Sequence, residues 1–348
     1  MSKKIIAVSL ALLAIIANSA MADQIKWRMP AAVPEGSFFY ENFMVRFSKN
    51  VELLTGGRLE IQPFGAGVVV PAFEIYSAVE DGIIEAGHST PTFLINRDPV
   101  NAIFAGFPGG MAPETKVHWI YEGGGLEMLQ DYRLKNMGLK SLVVGIGTTE
   151  VFAHSHSAIQ EAENLKGLRY RTAGPWAEIL GNYFDGAPTV VPPGEIFTLL
   201  QRRGVDAVEW ATPGSNLSEG FHEIAEYLAV PGVHQPTFLW EVVVKEDTWN
   251  KLPNELKPLV EAAAKLTTME SLVHFGHSDI LSMDQYANTN KVVELSPELI
   301  EQVRSAGRDW INTKISDNST GSETAAILES YLEYQDRWAR NSFYLLHD

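Results

Sequence analysis

Leu168-Arg169-Tyr170-Arg171, followed by Thr172-Ala173-Gly174-Pro175, reads as a short strand that stops at a Gly-Pro turn and hands over to a helix from Pro175 to Phe184. The same order then recurs. Thr189-Val190-Val191 is a strand, Phe197 to Arg203 a helix, and Val205-Asp206-Ala207-Val208-Glu209-Trp210 a further strand. Strands alternating with helices predict an α/β fold with a largely parallel sheet.

Upstream the chain follows the same plan. Ile25-Lys26-Trp27-Arg28-Met29 alternates as a half-buried strand limited by Pro30. Phe38, Phe39, Phe43, Val45, Phe47, Val51 and Leu54 recur at helical intervals up to the stop Thr55-Gly56-Gly57, and Arg58 to Gln62 alternates again. A helix over about Ala72 to Asp81, a short strand Gly82 to His88, a helical region Pro113 to Asn136 and the apolar strand Leu139 to Ile146 complete a first unit, to which Phe238 to Val244 is expected to return. Two lobes around a ligand cleft are therefore expected, lobe I from 23–146 plus about 235–253 and lobe II from 147–234. Residues 254–348 read as almost wholly helical, with Glu298 to Asp317 and Ser322 to Ser342 as long amphipathic pieces.

Residues 1–22 have the order of a cleaved export signal: Lys3 and Lys4, an apolar run from Ile5 to Ala17, and the small-x-small site Ala20-Met21-Ala22. The apolar run is shorter than the roughly 18 to 20 residues of a spanning helix. Cleavage removes two lysines and takes the formal charge from −16 to −18, which disfavours nucleic acid and anionic lipid as partners. There is no cysteine, so disulfides, thiolate metal sites, thiol nucleophiles and a lipid-attachment site are all excluded. The expected product is a freely diffusing periplasmic protein.

Arg171 ends its strand just before a helix start. A guanidinium there can grip a carboxylate with two parallel hydrogen bonds, aided by the free N–H groups and dipole of the helix. Spacing alone fits equally a surface arginine paired with Glu178. His154-Ser155-His156 places two imidazoles on one face of a strand, yet without a third ligand a solvated loop pair is the plainer reading, and His274 and His277 lack a zinc-hydrolase spacing. The Gly-rich stretches lack a P-loop or dinucleotide pattern. An enzyme using Asp206 and Glu209 as an acid/base pair is the competing function, acting on an organic acid. Residues three apart on a strand point to opposite faces, which argues against it.

Lys166 to Gly174, Pro192-Pro193-Gly194-Glu195-Ile196-Phe197 and Gly204 to Trp210 resemble successive motifs of the DctP-type solute-binding proteins of tripartite ATP-independent periplasmic (TRAP) transporters. Gly56-Gly57-Arg58-Leu59 and Trp249-Asn250-Lys251-Leu252-Pro253 stand in the order that family shows, so the likeness spans the mature chain. It implies a two-lobe binding protein, not an enzyme, with long helices bracing the hinge, that passes a small organic carboxylate to membrane permease subunits. It also implies that Arg171 clamps the carboxylate. The form Asp206-Ala207-Val208-Glu209-Trp210 is similar to the α-keto acid and lactate branch, which implies Glu209 and the Trp210 carbonyl as ligands of a Na⁺ or Ca²⁺ that bridges to the ligand, no other cofactor being needed. Gln235 stands near a further oxygen ligand of that branch, with Glu241 as an acidic alternative.

Two positions depart from the branch. Thr148-Thr149-Glu150-Val151-Phe152 holds no amide where the branch has one, leaving Glu150 as the substitute, although a lone loop Glu is usually solvated. Phe93 stands where the branch has a tyrosine. These changes suggest a ligand with a more apolar body, an aromatic or branched acid beside the 2-oxo and hydroxy acids, walled by Phe93, Phe152, Trp176, Trp210 and Trp240. The C-terminal helix carries more apolar surface than one exposed face explains. It is expected to pack on its own lobes, the alternative being a homodimer.

Overall fold

The computed structural model describes residues 24–345, so the export signal expected at 1–22 lies outside the described residues. Strands β1 (Ile25–Pro30) and β2 (Leu59–Phe64) pair in parallel, from Ile25 opposite Leu59 to Pro30 opposite Phe64. The helix Arg46–Thr55 between them, entered through a wider turn at Tyr40–Val45, buries Phe43, Phe47 and Val51 at intervals of four. It stops where Gly56 takes φ 61°, a left-handed conformation that a side chain would oppose.

The second part of this lobe departs from the expected parallel order. Strands β3 (Ala86–Ser89) and β4 (Leu139–Ile146) both flank β10 (Leu239–Lys245), and both run antiparallel to it. β10 arrives from the other lobe, so its direction is set by that return path and not by a βαβ crossover.

The other sheet has six strands in the order β11 (Lys291–Glu294), β9 (Tyr227–Val230), β5 (Ala153–Ser155), β8 (Ala207–Val208), β6 (Arg169–Arg171), β7 (Ala187–Thr189). β6 (Arg169–Arg171) lies between β7 (Ala187–Thr189) and β8 (Ala207–Val208), parallel to both. β5 (Ala153–Ser155) runs antiparallel between β8 and β9 (Tyr227–Val230). β11 (Lys291–Glu294) is an edge strand inside the stretch expected to be almost wholly helical. Asn290 breaks the preceding helix by donating its side-chain amide to His222 O and Ala225 O, and Val292 and Val293 then extend beside β9.

β5 also corrects the reading of the His154-His156 pair as a solvated loop. With partners on both sides, β5 buries His154 completely, its Nε2 3.1 Å from Asn216 Nδ2 and its ring against Phe221 and Tyr286. His156 is partly buried, its Nε2 3.1 Å from Leu200 O.

The two lobes meet through the crossing segments 147–152 and 231–238. The helix Lys257–Thr289, 33 residues and so roughly 50 Å long, lies along both. Its Val260, Ala263, Ala264 and Phe275 join the core around β1 to β4 and β10, while its Tyr286 packs with Val151 and Leu228. The helices Pro297–Ser316 and Ser322–Asn341 add Leu299, Val303, Trp310, Leu328 and Tyr331 to a second core that includes Phe152, Tyr170 and Trp176. The last helix thus packs on its own chain, and its Tyr331 hydroxyl accepts the Met111 N–H at 2.8 Å. Among the described residues no helix is long and apolar enough to cross a membrane.

Candidate functional site

Arg171 is the last residue of β6 and is buried. Backbone pairing fixes it against the end of β8: the Glu209 N–H donates to Arg171 O at 3.1 Å. The side chains answer one another across the same pair. Arg171 Nη1 donates to Glu209 O at 2.9 Å and to Glu209 Oε1 at 3.1 Å, and Nη2 donates to Val191 O at 3.0 Å. Ala173 N–H donates to the same Oε1 at 3.1 Å. A guanidinium has five donors. These bonds occupy three, leaving Nε, which is buried without a partner, and one N–H of Nη2. The alternative partner for Arg171 is engaged elsewhere, since Glu178 binds Lys314 at 3.0 Å.

Glu150, far from solvated, is buried on the crossing between β4 and β5, where its N–H donates to Gln235 O at 3.3 Å. It is held there by close backbone contact: a Cβ on Gly232 would collide with the Glu150 carbonyl. Its carboxylate, that of Glu209 and the imidazole of His234 bring one donor atom each to within 4.8 Å of one another. Burial raises the Glu150 carboxyl well above the usual carboxylate range and the Glu209 charge adds to this, against the opposing pull of Arg171. Burial also pulls His234 down to about 3, so its ring is neutral at ordinary pH. Its Nε2 lies 3.5 Å from Glu150 Oε2, a contact between a neutral ring and a carboxylate that is too long for a good hydrogen bond. Glu150 Oε2 and both His234 nitrogens are therefore buried without hydrogen-bond partners.

These groups face a cavity of about 40 Å³ between the lobes. Phe39, Thr90, Thr92 and Phe93 form its first-lobe side, Arg171, Ala173, Glu209 and Trp210 its second-lobe side, and Glu150, His234, Gln235 and Phe238 of the crossing segments and Trp240 of β10 the rest. The rings of Phe39 and Trp210 meet across the cleft at 5.2 Å between centroids, and Arg171 Cζ lies 5.9 Å over the Trp210 ring. Larger surface grooves exist, one of about 420 Å³ between Lys166, Tyr183 and Asp309, whose charged residues are not buried as Arg171, Glu150 and Glu209 are.

Of the residues singled out in the sequence, Arg171, Glu209, Trp210, Glu150, Gln235, Phe93 and Trp240 line this one cavity. Phe152 and Trp176 do not. They lie one layer behind, where their rings pack against His234 at 5.3 and 5.9 Å and hold it in place. Glu241 is also elsewhere, buried in the first lobe with Arg133 Nη2 at 2.7 Å, Tyr76 OH at 2.7 Å and Ser141 Oγ at 2.5 Å. Asp206 is on the opposite face from Glu209, in a partly exposed pair with Arg169 Nε at 3.0 Å, so the two carboxylates do not form an acid/base pair. His234, Thr90, Thr92, Phe39 and Phe238 escaped the sequence reading. His234 had a signal as the neighbour of Gln235; the threonines had none, because only the turn after β3 aims them inward.

Two carboxylates, one with a buried unpartnered oxygen, and a side-chain amide at Gln235 form an oxygen-rich donor set that suits a hard cation. The unused Arg171 donors suit an anion beside it.

Residues 31–315 match the family model of bacterial extracellular solute-binding protein family 7 (DctP). A monocarboxylate 2-oxoacid-binding periplasmic protein of Nostoc sp. is 26% identical over 322 residues, covering 91% of this chain and 86% of that protein. A TRAP transporter solute-binding protein of Bordetella bronchiseptica, a mixed-occupancy dimer with copurified calcium and picolinate, superposes with a TM-score of 0.85 at 25% identity over 91% of this chain and 93% of that one. A TRAP periplasmic solute-binding protein of Pseudoalteromonas atlantica with bound sodium and pyruvate gives 0.84 at 25% identity over 91% and 96%. The two-lobe α/β fold read from the sequence is the fold of these structures.

Proposed function

Because the chain belongs to the DctP family of extracellular solute-binding proteins, we propose that it is a periplasmic receptor for a compact monocarboxylate with a second donor atom next to the carboxylate, such as a 2-oxo acid. The observation that carries this reading is the buried Arg171, with two donors unused, facing a small cavity beside Glu150 and Glu209. A cavity of 40 Å³ has room for roughly three water positions, and the ligand that replaces them is correspondingly small. The 2-oxo and hydroxy acids fit this directly, and an aromatic acid as compact as picolinate stays within the class that the sequence suggested. Pyruvate and picolinate, bound by the two structural relatives, share a carboxylate with an adjacent oxygen or nitrogen.

In this reading Arg171 takes the ligand carboxylate, Glu209 holds Arg171 in position, and Glu150, Glu209, Gln235 and the Trp210 carbonyl are the ligands of a cation. A bound cation would supply the positive charge that joins the ligand's donor atoms to the two carboxylates. Phe39, Phe93, Trp210 and Trp240 exclude water around the ligand. Delivery to TRAP permease subunits follows from the family, and the expected partners remain those subunits and the carboxylate itself.

The test is a melting-temperature screen over mono- and dicarboxylates with Na⁺ or Ca²⁺ present, followed by calorimetry on Arg171→Ala. Small 2-oxo acids should raise the melting temperature, and the variant should lose about 2 to 5 kcal/mol of binding while keeping its fold. Unchanged affinity in the variant, or stabilisation by sugars or amines but no carboxylate, overturns the reading.

A further inference from the structure

Thr90 and Thr92 line the cavity from the first lobe, at the turn Pro91–Leu94 that follows β3. Each hydroxyl has one proton to donate and two lone pairs that accept. Thr90 Oγ1 donates its proton to Leu239 O at 3.0 Å. Leu239 is fully buried and its carbonyl can only accept, so turning that proton elsewhere would leave the oxygen unmet. The lone pairs of Thr90 Oγ1 accept the Thr92 N–H at 3.3 Å and face Thr92 Oγ1 at 3.0 Å. With the Thr90 proton already committed, the proton between the two hydroxyls comes from Thr92. Thr92 Oγ1 is left with its lone pairs, and no N–H or O–H among the described residues fills them.

The other lobe fixes the orientation of this side chain. A Cβ on Gly174 would come within 3.1 Å of Thr92 Cγ2, so the threonine methyl lies close against the turn that carries Arg171. With the methyl held there and the hydroxyl on Thr90, a β-branched side chain keeps one rotamer. The fixed acceptor thus stands across the cleft from the guanidinium that would hold a ligand carboxylate. A 2-oxo acid brings a second acceptor to it, and one of the two must go unmet or the Thr90 bond must break. A 2-hydroxy acid of the same skeleton brings a proton instead and keeps its oxygen lone pairs for other partners. A 2-ammonium group also brings protons, but it offers no lone pair to the cation of the receptor reading and adds positive charge beside Arg171.

Resting on the receptor reading above, we propose that Thr92, with its proton fixed on Thr90, is the specificity-determining residue of the cavity, and that it selects a 2-hydroxy monocarboxylate over the 2-oxo acid of the same skeleton.

The experiment is calorimetric titration of the full-length mature protein with each enantiomer of lactate, with pyruvate and with alanine, in Na⁺ and again in Ca²⁺. The readout is the ratio of affinities, which a loss of folded protein does not move. The tighter enantiomer of lactate should bind about tenfold or more tightly than pyruvate, and alanine more weakly than either. Thr92→Val keeps the shape and removes the acceptor, so it should bring lactate and pyruvate close to equal affinity, and Thr92→Ser should retain the wild-type preference. Thr90→Val releases the Thr92 proton to meet a keto oxygen and should shift the ratio toward pyruvate, whereas Thr90→Ser should behave as wild type. Pyruvate bound as tightly as lactate by the wild type, or a lactate-to-pyruvate ratio unchanged in Thr92→Val, overturns the inference and leaves the receptor reading intact. Alanine bound more tightly than lactate overturns it as well. Absence of binding by every carboxylate under every cation overturns the receptor reading itself.

Discussion

At the scale of single residues, two buried ion pairs of the same chemistry differ in whether the protein fills their bonding shell, which suits stability in one place and the proposed recognition in another. Arg133 and Glu241 are both completely buried, joined at 2.7 Å, and Glu241 is further bonded by Tyr76 and Ser141. The acceptor set of Glu241 is filled by the protein, so the group is structural. Removing one partner strands the other charge, and Arg133→Ala should cost about 3 to 5 kcal/mol, read as a fall in the urea midpoint with carboxylate affinity per folded molecule unchanged. Arg171 and Glu209 are buried too, but the guanidinium retains unused donors and Glu150 beside it retains an unused acceptor. Sequence could not separate these cases. Glu241 and Glu150 each appeared as a lone acid near a strand, and what distinguishes them is whether Arg133, 108 residues away from Glu241, closes the bonding shell.

At the scale of elements, the helix Pro113–Glu122 carries a conflict that pH exposes. Lys116 is buried on it, its Nζ donates to Ile103 O, and the rings of Trp119 and Tyr331 lie 5.1 and 5.8 Å away. With this burial uncompensated by any nearby carboxylate, the ammonium is pushed down to about 7. In the unfolded chain the amine holds its proton to about pH 10.4. Between those values the unfolded state carries the extra proton, so this group makes stability rise as pH rises through the window, with its full penalty present below 7. Lys116→Met should flatten that rise and stabilise the fold at pH 7 by a few kcal/mol, because each tenfold displacement of a protonation equilibrium is worth about 1.4 kcal/mol. The gain is read as a higher melting temperature. A variant whose stability shows the wild-type slope between pH 7 and about 9.5, inside that window, would contradict it. Elements with strong periodicity were legible in advance: the helix ending at Gly56, β4, β10 and the two C-terminal helices lie within a few residues of where the pattern puts them. The short strands were legible only through their partners. β11 has four residues, and β5 holds a histidine buried only because strands from residues 207 and 227 onward flank it. Phe152 and Trp176 missed the cavity for the same reason: an aromatic on a known strand or helix has a position along the chain, but which layer it fills depends on the neighbouring layer.

At the scale of the whole molecule, the connections between the lobes decide how the receptor moves. The two crossing segments are bonded to one another, with Gly147 N–H donating to Phe238 O at 3.0 Å and Thr237 Oγ1 donating to Gly147 O at 2.7 Å. They form one narrow, stiff neck. Gly147 keeps it narrow, because a Cβ there would collide with the Phe238 ring. The helix Lys257–Thr289 crosses beside the neck, and its Asp279 accepts from Thr148 Oγ1 and, at 2.8 Å, from the Gly214 N–H. A hinge at this neck, with the helix as a strut, is the motion the proposed function calls for. Opposite the neck the lobes meet at the cavity, with the rings of Phe39 and Trp210 5.2 Å apart and Gly174 close against Thr92. On the proposed reading, a ligand gripped by Arg171 on one side and enclosed by Thr92 and Phe93 on the other adds binding energy only when the lobes meet. Ligand should therefore shift an open–closed equilibrium in proportion to its preference for the closed form. Small-angle scattering should show a smaller radius of gyration when Ca²⁺ and pyruvate are both added to wild type, and Arg171→Ala should show no such contraction at the same concentrations. Contraction of equal size in the variant would place the closing force in the lobe contacts themselves and not in the clamped ligand.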